Sequence, residues 1–240
     1  MSQNIANIWV YLAQTPLLWL TTTLAVYMLA YTIYQRMHFA PLFNPVPIAV
    51  VLLVTLLLAT NTPYQRYFDG AQFVHFLLGP ATVALAIPLY GAYGTLRQRL
   101  GPLAVALLVG AATGVLSAGL IGRATGLDGQ TLMSIVPKSV TTPIAMGISE
   151  QLGGLPSLTA VLVILTGIIG SMIGPPVLKL LRIEDESVRG FALGIAAHGI
   201  GTARALQIGT QAGAFAGLAM GLNGAVTTIV APLLVWLLRG

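Results

Sequence analysis

Four stretches of this chain, residues 15–34, 103–121, 158–178 and 212–238, run on without one charged side chain. A membrane-crossing helix needs about 20 such residues, and a soluble core offers no place for four of them. Charged residues make up 7% of the 240, against about 25% in a soluble domain. Mean hydropathy is +0.88. The fold class that follows is an all-α integral membrane protein, a polytopic bundle of about eight membrane-associated helices at roughly 20 residues per span. One membrane domain then occupies residues 1–240, with no length left for a soluble one.

Charge narrows the function. Eleven Lys and Arg against six Asp and Glu give a net +5. In a soluble protein that balance suggests nucleic acid. Here the basic residues stand at the ends of apolar runs, as membrane anchors do, with no aromatic-interleaved basic patch, so no nucleic-acid partner is expected. Cysteine is absent, which excludes disulfides, thiolate metal sites and Cys nucleophiles. The opening MSQNIANIWVYLAQTP lacks the basic n-region of a cleavable signal, and the first long run reads as a span.

Taken in order, residues 15–34 form a span that stops at Arg36 and His38. Trp9, Tyr11 and Trp19 suit an interfacial aromatic belt, and His38 reads as interfacial rather than as a ligand. Three prolines between Pro41 and Pro47 predict extended backbone over 42–46. Asn44 then either offers its amide to a ligand or caps a turn. Residues 61–72 read as a polar loop, and 73–93 as an apolar segment interrupted at Pro80 and Pro88, with His75 interfacial near its start. The small residues of 103–121 predict a helix internal to the bundle. Residues 123–129 are a second polar break. Glu184, Asp185 and Glu186 lack ligand spacing and read as a solvated turn.

Two apolar segments are broken by polar residues, IVPKSVTTPIAMGISE at 135–150 and FALGIAAHGIGTARALQI at 191–208. Pro137 suits the first turn of a helix, which would place Lys138 and Ser139 at a helix N-terminus. In the second segment Gly199 and Gly201 loosen the backbone, Thr202 reads as an N-cap, and Arg204 falls in the first turn beyond. A helix N-terminus carries roughly half a positive charge, so a cation there opposes the dipole unless an anion lies between them. Broken and intact segments pair as 73–99 with 101–122, 131–151 with 156–181, and 190–208 with 212–238. A shift of 57 residues (137 − 80) brings Pro80 onto Pro137, Val83 onto Val140 and Gly110 onto Gly167. Such pairs point to a transporter site, with Pro137, Pro143, Gly199, Gly201 and Pro80 as hinges.

Catalysis needs a nucleophile with a base, paired carboxylates or a metal, and the apolar segments supply none of these. Lys138 and Ser139 are adjacent, so on a helix they point about 100° apart, which is poor geometry for a dyad. No enzyme activity, cofactor or metal is expected. What remains is Lys138, Arg204, His198, Ser139, Thr141, Thr142 and Thr202, with Asn44 as a further amide. This cationic, donor-rich set suits a small carboxylate. Alternatively, the cations snorkel to the interface and the hydroxyls bond freed backbone. His198, with an unperturbed pKa of about 6.5, favours H⁺ over Na⁺ as a coupling ion.

PKSVTTPIA at 137–145, GRAT at 122–125, RG at 189–190, AHGIGTARA at 197–205 and PLFNPV at 41–46 together resemble the LrgB/CidB family of membrane proteins. The likeness runs from about residue 40 to 235. The resemblance implies a multi-pass protein of the bacterial inner membrane with a small LrgA-type membrane partner; a homo-oligomer is expected besides. It also implies one of two roles: antiholin-like control of murein hydrolase activity and autolysis, or transport of glycolate, glycerate, lactate or pyruvate. The second follows the plastidal glycolate/glycerate translocator, in which LrgA-like and LrgB-like parts are fused.

Overall fold

A computed structural model describes residues 16–37, 39–40, 43–84 and 86–239. Among them the chain forms ten helices and no strand. Four helices are long and apolar enough to cross a membrane, Pro16–Arg36, Tyr93–Ala124, Pro156–Leu180 and Thr210–Leu237. The protein is therefore a multi-pass membrane protein. It divides into two compact units, one through Ala84 and one from Leu85.

The first unit holds α1 (Pro16–Arg36), α2 (Pro45–Ala59) and α3 (Tyr64–Ala84). Its anchor is Trp19, fully buried, which meets Tyr67 edge-on at 6.0 Å. Gly70 permits that approach, because a Cβ there would overlap the carbonyl of Pro16. Three expectations fail here. Trp19 is core rather than interfacial belt, because the Tyr67–Gly70 face of α3 is shaped to cover it. The loop expected over 61–72 shrinks to residues 60–63, since the same packing holds 64–72 as helix against its polar composition. Backbone expected to be extended through Val46 is helical from Pro45, because prolines at the first helical positions forgo no hydrogen bond. Asn44 caps that helix, its side chain accepting from the Val46 N–H at 3.0 Å. Pro80 lies inside α3, which continues to Ala84. Trp9, Tyr11 and His38 lie outside the described residues, as does the side chain of His75.

The second unit holds α4 (Ala86–Gly91), α5 (Tyr93–Ala124), α6 (Gly129–Ile135), α7 (Thr142–Leu152), α8 (Pro156–Leu180), α9 (Glu186–Ile208) and α10 (Thr210–Arg239). Its path follows from a few close contacts. At one end Arg99, near the start of α5, donates to Asp185 at 2.6 Å and to Ser187 at 2.8 Å. The start of α5, the end of α8 and the start of α9 therefore share that end. At the other end α5 finishes at Arg123 and Ala124, and a turn through Gly126, in the left-handed region at φ 75°, leads to α6. Asp128 caps α6 by accepting from the N–H groups of Gln130 and Thr131.

From there α6 runs inward, the chain breaks at 136–141, and α7 comes back out. Gly153 ends α7 in the left-handed conformation at φ 85°. The return is fixed by a buried hydroxyl cluster. Ser134 accepts from the Leu155 N–H at 2.8 Å, Thr159 donates to the Ser134 carbonyl at 3.0 Å, and the Thr159 and Ser149 hydroxyls lie 2.7 Å apart. Residues 129–152 thus enter and leave at the Arg123 end.

Helix α9 folds back in the same way from the opposite end. It is helical except at Ala197 and His198, where the chain reverses. Beyond the reversal Gly201 lies against the Leu193 carbonyl and the Ala197 side chain, and Gly209 lies beside Glu186 where the helix began. The first arm runs parallel to α10, with Gly190 against Ala212 and Gly194 against Ala216. A Cβ on either glycine would overlap the facing carbonyl, so the two backbones lie in direct contact. Lys179, Arg182 and Arg189 consequently share an end with Arg97 and Arg99, opposite Arg123, a placement that depends on residues 129–152 turning back.

Because the chain has no cysteine, single-cysteine accessibility tests this path directly. Thr125→Cys and Gln151→Cys should label from one face of a sealed vesicle, and Glu184→Cys and Gln207→Cys from the other. The more basic Arg99 end should react only after permeabilisation, as the positive-inside rule requires. Labelling of residues 125 and 151 from opposite faces would refute the path. Acid offers a second check at the Arg99 end. The Ser187 hydroxyl, with Arg99 behind it, holds the Asp185 carboxyl down from 3.8 to about 2. Its stabilisation is complete above the unfolded value and is lost as pH falls through about 2. With the pair 40% exposed, the effect is small. Asp185→Asn should lower the melting temperature slightly at pH 7 and flatten its decline in acid.

Candidate functional site

The tips of the two hairpins carry most of the polar residues singled out by sequence. Tip one, residues 136–141, is built of consecutive turns. Lys138 N–H donates to the Ile135 carbonyl at 3.1 Å, and Val140 N–H to that of Pro137 at 3.3 Å. Pro137 therefore belongs to the turn that closes α6 and does not begin a helix. The helix starts at Thr142, with Thr141 as an N-cap whose side chain makes no capping bond and Pro143 in the first turn, where its missing N–H costs nothing. Lys138 accordingly stands before that N-terminus. Its ammonium donates to the Gly114 carbonyl of α5 at 3.0 Å. Gly114 also makes room for Ser139, since a Cβ there would lie 2.8 Å from the Ser139 hydroxyl.

Tip two turns on His198, which adopts φ 42° and ψ −129°, a backbone region that favours glycine. The ring is buried, and its Nε2 lies 2.9 Å from the Val163 carbonyl of α8. A carbonyl only accepts, so Nε2 carries the hydrogen. Gly167 provides the flat seat, because a Cβ there would lie 2.7 Å from His198 Cε1. Thr202, expected to cap the returning arm, lies a turn inside it. The arm restarts at Gly199, immediately after the reversal, so the Thr202 hydroxyl back-bonds to the His198 carbonyl at 2.9 Å. Arg204 follows on the same arm and donates to Gln207 at 2.7 Å. Lys138 and Arg204 thus engage separate partners. Asn44 and Pro80 belong to the first unit.

The residue that joins the tips was missed by sequence reasoning. Asn223, near the middle of α10 and 1% exposed, donates to the Ser139 carbonyl of tip one at 3.2 Å and to the Ile195 carbonyl beside tip two at 3.1 Å. Thr227, one turn on, donates to its amide oxygen at 3.3 Å. The signal was present as a lone amide in an otherwise apolar run, where an unsatisfied polar group is costly. The hairpins also share a sequence interval that the shift of 57 does not reach. An offset of 60 (198 − 138) carries Lys138 onto His198, Thr142 onto Thr202 and Ala145 onto Ala205. In both hairpins a basic residue at the tip reaches the backbone of the long helix preceding it.

The strain at His198 gives an ordering opposite to ordinary helix propensity. His198→Ala loses the Val163 contact and keeps the strained backbone, worth about 1–3 kcal/mol. His198→Gly loses the same contact but relaxes the backbone. The glycine variant should therefore melt above the alanine variant in detergent-solubilised protein. The reverse order would place the strain elsewhere.

The LrgB-like family profile matches residues 23–237. Protein YwbG of Bacillus subtilis (strain 168) is 40% identical over 213 residues, covering 88% of this chain and 94% of that protein. YxaC of the same strain is 38% identical over 215 residues, covering 90% and 93%. The antiholin-like protein LrgB of Bacillus cereus (strain B4264) is 32% identical over 219 residues, covering 91% and 95%. No solved structure matches. A match of this extent, over both hairpins and every helix that supports them, places the chain in the LrgB-like family.

Proposed function

We propose that this protein is an antiholin-like regulator in a bacterial cell membrane. It restrains murein hydrolase activity without being an enzyme, and it acts with a small LrgA-type membrane partner. The observation that carries the proposal is the full-length likeness to a relative named antiholin-like protein LrgB, which includes the hairpin core. The core is compatible with this role, since Lys138, His198 and Asn223 all bond to carbonyls of the chain itself. The test is complementation. In a Bacillus strain lacking its own LrgB-like proteins, the chain with an LrgA-type partner should slow autolysis and lower murein hydrolase activity in zymograms. No change in either would remove the regulatory reading.

One observation favours a second reading, transport of a small monocarboxylate such as glycolate, glycerate, lactate or pyruvate. Hairpins entering from opposite ends, with broken helices meeting between them, are the arrangement in which secondary transporters hold their substrates. Lys138 and the uncapped start of α7 would receive the anion, and His198 would be the group to carry H⁺. Proteoliposomes containing the protein, alone and with an LrgA-type partner, should then accumulate labelled glycolate or pyruvate. Lys138→Met should abolish uptake while leaving the melting temperature unchanged, since an apolar replacement of a buried charge is often neutral for stability. Failure of every short carboxylate to move would end this reading and leave the first untouched.

A further inference from the structure

Each tip is held by two side-chain tethers. Tip one has Lys138 on the Gly114 carbonyl of α5 and its own Ser139 carbonyl on Asn223. Tip two has His198 on the Val163 carbonyl of α8 and the nearby Ile195 carbonyl on Asn223. The outer tethers go to different helices. Asn223 is common to both, and each of its two amide hydrogens serves one tip. Thr227 fixes the amide's orientation by occupying its oxygen, so the N–H₂ group faces the tips.

The feet of the hairpins are fastened much more firmly. Hairpin one is closed at its base by Ser134, Ser149 and Thr159, all fully buried. Hairpin two is closed by the Asp185 cap, by Arg99 and by the backbone contacts of Gly190 and Gly194 with α10.

We propose that Asn223 is the shared latch of a two-sided gate: its amide holds both tips against α10, and release of either carbonyl lets that tip open towards its own end of the unit. The inference rests on the geometry of the tips and stands under either reading of the function. Hairpin one opens towards the Arg123 end, hairpin two towards the Arg99 end. Because the outer tethers are separate, one tip opens while the other stays seated. Asn223 is thus a positioning residue, acting through the two carbonyls it holds.

The test uses the full chain in sealed vesicles and a small membrane-impermeant methanethiosulfonate. Reporters are Ser139→Cys, which keeps the tip-one carbonyl, and Gly199→Cys, whose Cβ would meet only Met220 Sδ at 3.8 Å. Removing a buried hydrogen-bond partner should speed labelling by about tenfold or more. With Asn223→Ala, residue 139 should gain that rate only from the Arg123 end and residue 199 only from the Arg99 end. Thr228→Val, which loses only a hydroxyl bonded to the Gly224 carbonyl of its own helix at 2.8 Å, should stay within about twofold of the parent. Unchanged rates, or a rise from both faces at each reporter, would overturn the latch. A second measurement needs no change at Asn223. In hydrogen exchange of the native chain, residues 136–141 and 197–200 should exchange through openings of their own, about tenfold faster than the arms that carry them. Exchange of each hairpin as a single unit would overturn the proposal as well.

Discussion

A chain that turns back inside an apolar bundle must find partners for the backbone groups at the turn, because lipid offers none. That requirement governs the second unit. The carbonyls of Ser139 and Ile195 are satisfied by one amide, Asn223. The side chains at the two tips reach for carbonyls of α5 and α8 in turn. Glycines stand wherever these approaches are closest, Gly114 beneath Ser139 and Gly167 beneath His198. Polar residues and small residues here serve one purpose, to let backbone meet backbone without leaving a donor or acceptor stranded.

The same logic separates the bases of the hairpins from their tips. At the base of hairpin one three hydroxyls, a carbonyl and an N–H close a network with every member occupied. Networks of this kind are rigid because loosening any bond exposes several groups at once. At the tips the tethers run to separate helices and share only Asn223, and at His198 the backbone is strained as well. The base of hairpin one is thus held by a buried polar network, and its tip by two tethers and by the burial of Val136 and Val140.

Much of this was legible in the sequence. The absence of charge over four long runs fixed the class, and the segments around Lys138 and His198 stood out because polar groups are expensive where they sit. The direction of those segments was not legible. A run of about 20 apolar residues crosses or returns with equal ease by length alone, and what decides is tertiary contact. Thr159 holding Ser134 and Gly190 lying on Ala212 are pairings that no local pattern announces. Pro137 misled for a related reason. Proline is equally at home in a closing turn and in a helical first turn, and Pro143, six residues on, took the second place. Trp19 misled because burial against α3 overrode its usual interfacial preference, and residues 64–72 because a helix with an exposed polar face needs only its Tyr67 and Gly70 side to pack on α1.

The parallel seam between the first arm of α9 and α10 has a consequence for biosynthesis. Gly190 and Gly194 need Ala212 and Ala216, and both tip carbonyls need Asn223. All of these partners lie in α10, which the ribosome delivers after both hairpins. Until it arrives, residues 136–141 and 195–198 hold polar backbone with no lasting place in the bilayer. The hairpins therefore reach their final hydrogen bonding only once α10 is in place. The last helix of the chain thus completes the packing of two segments made before it.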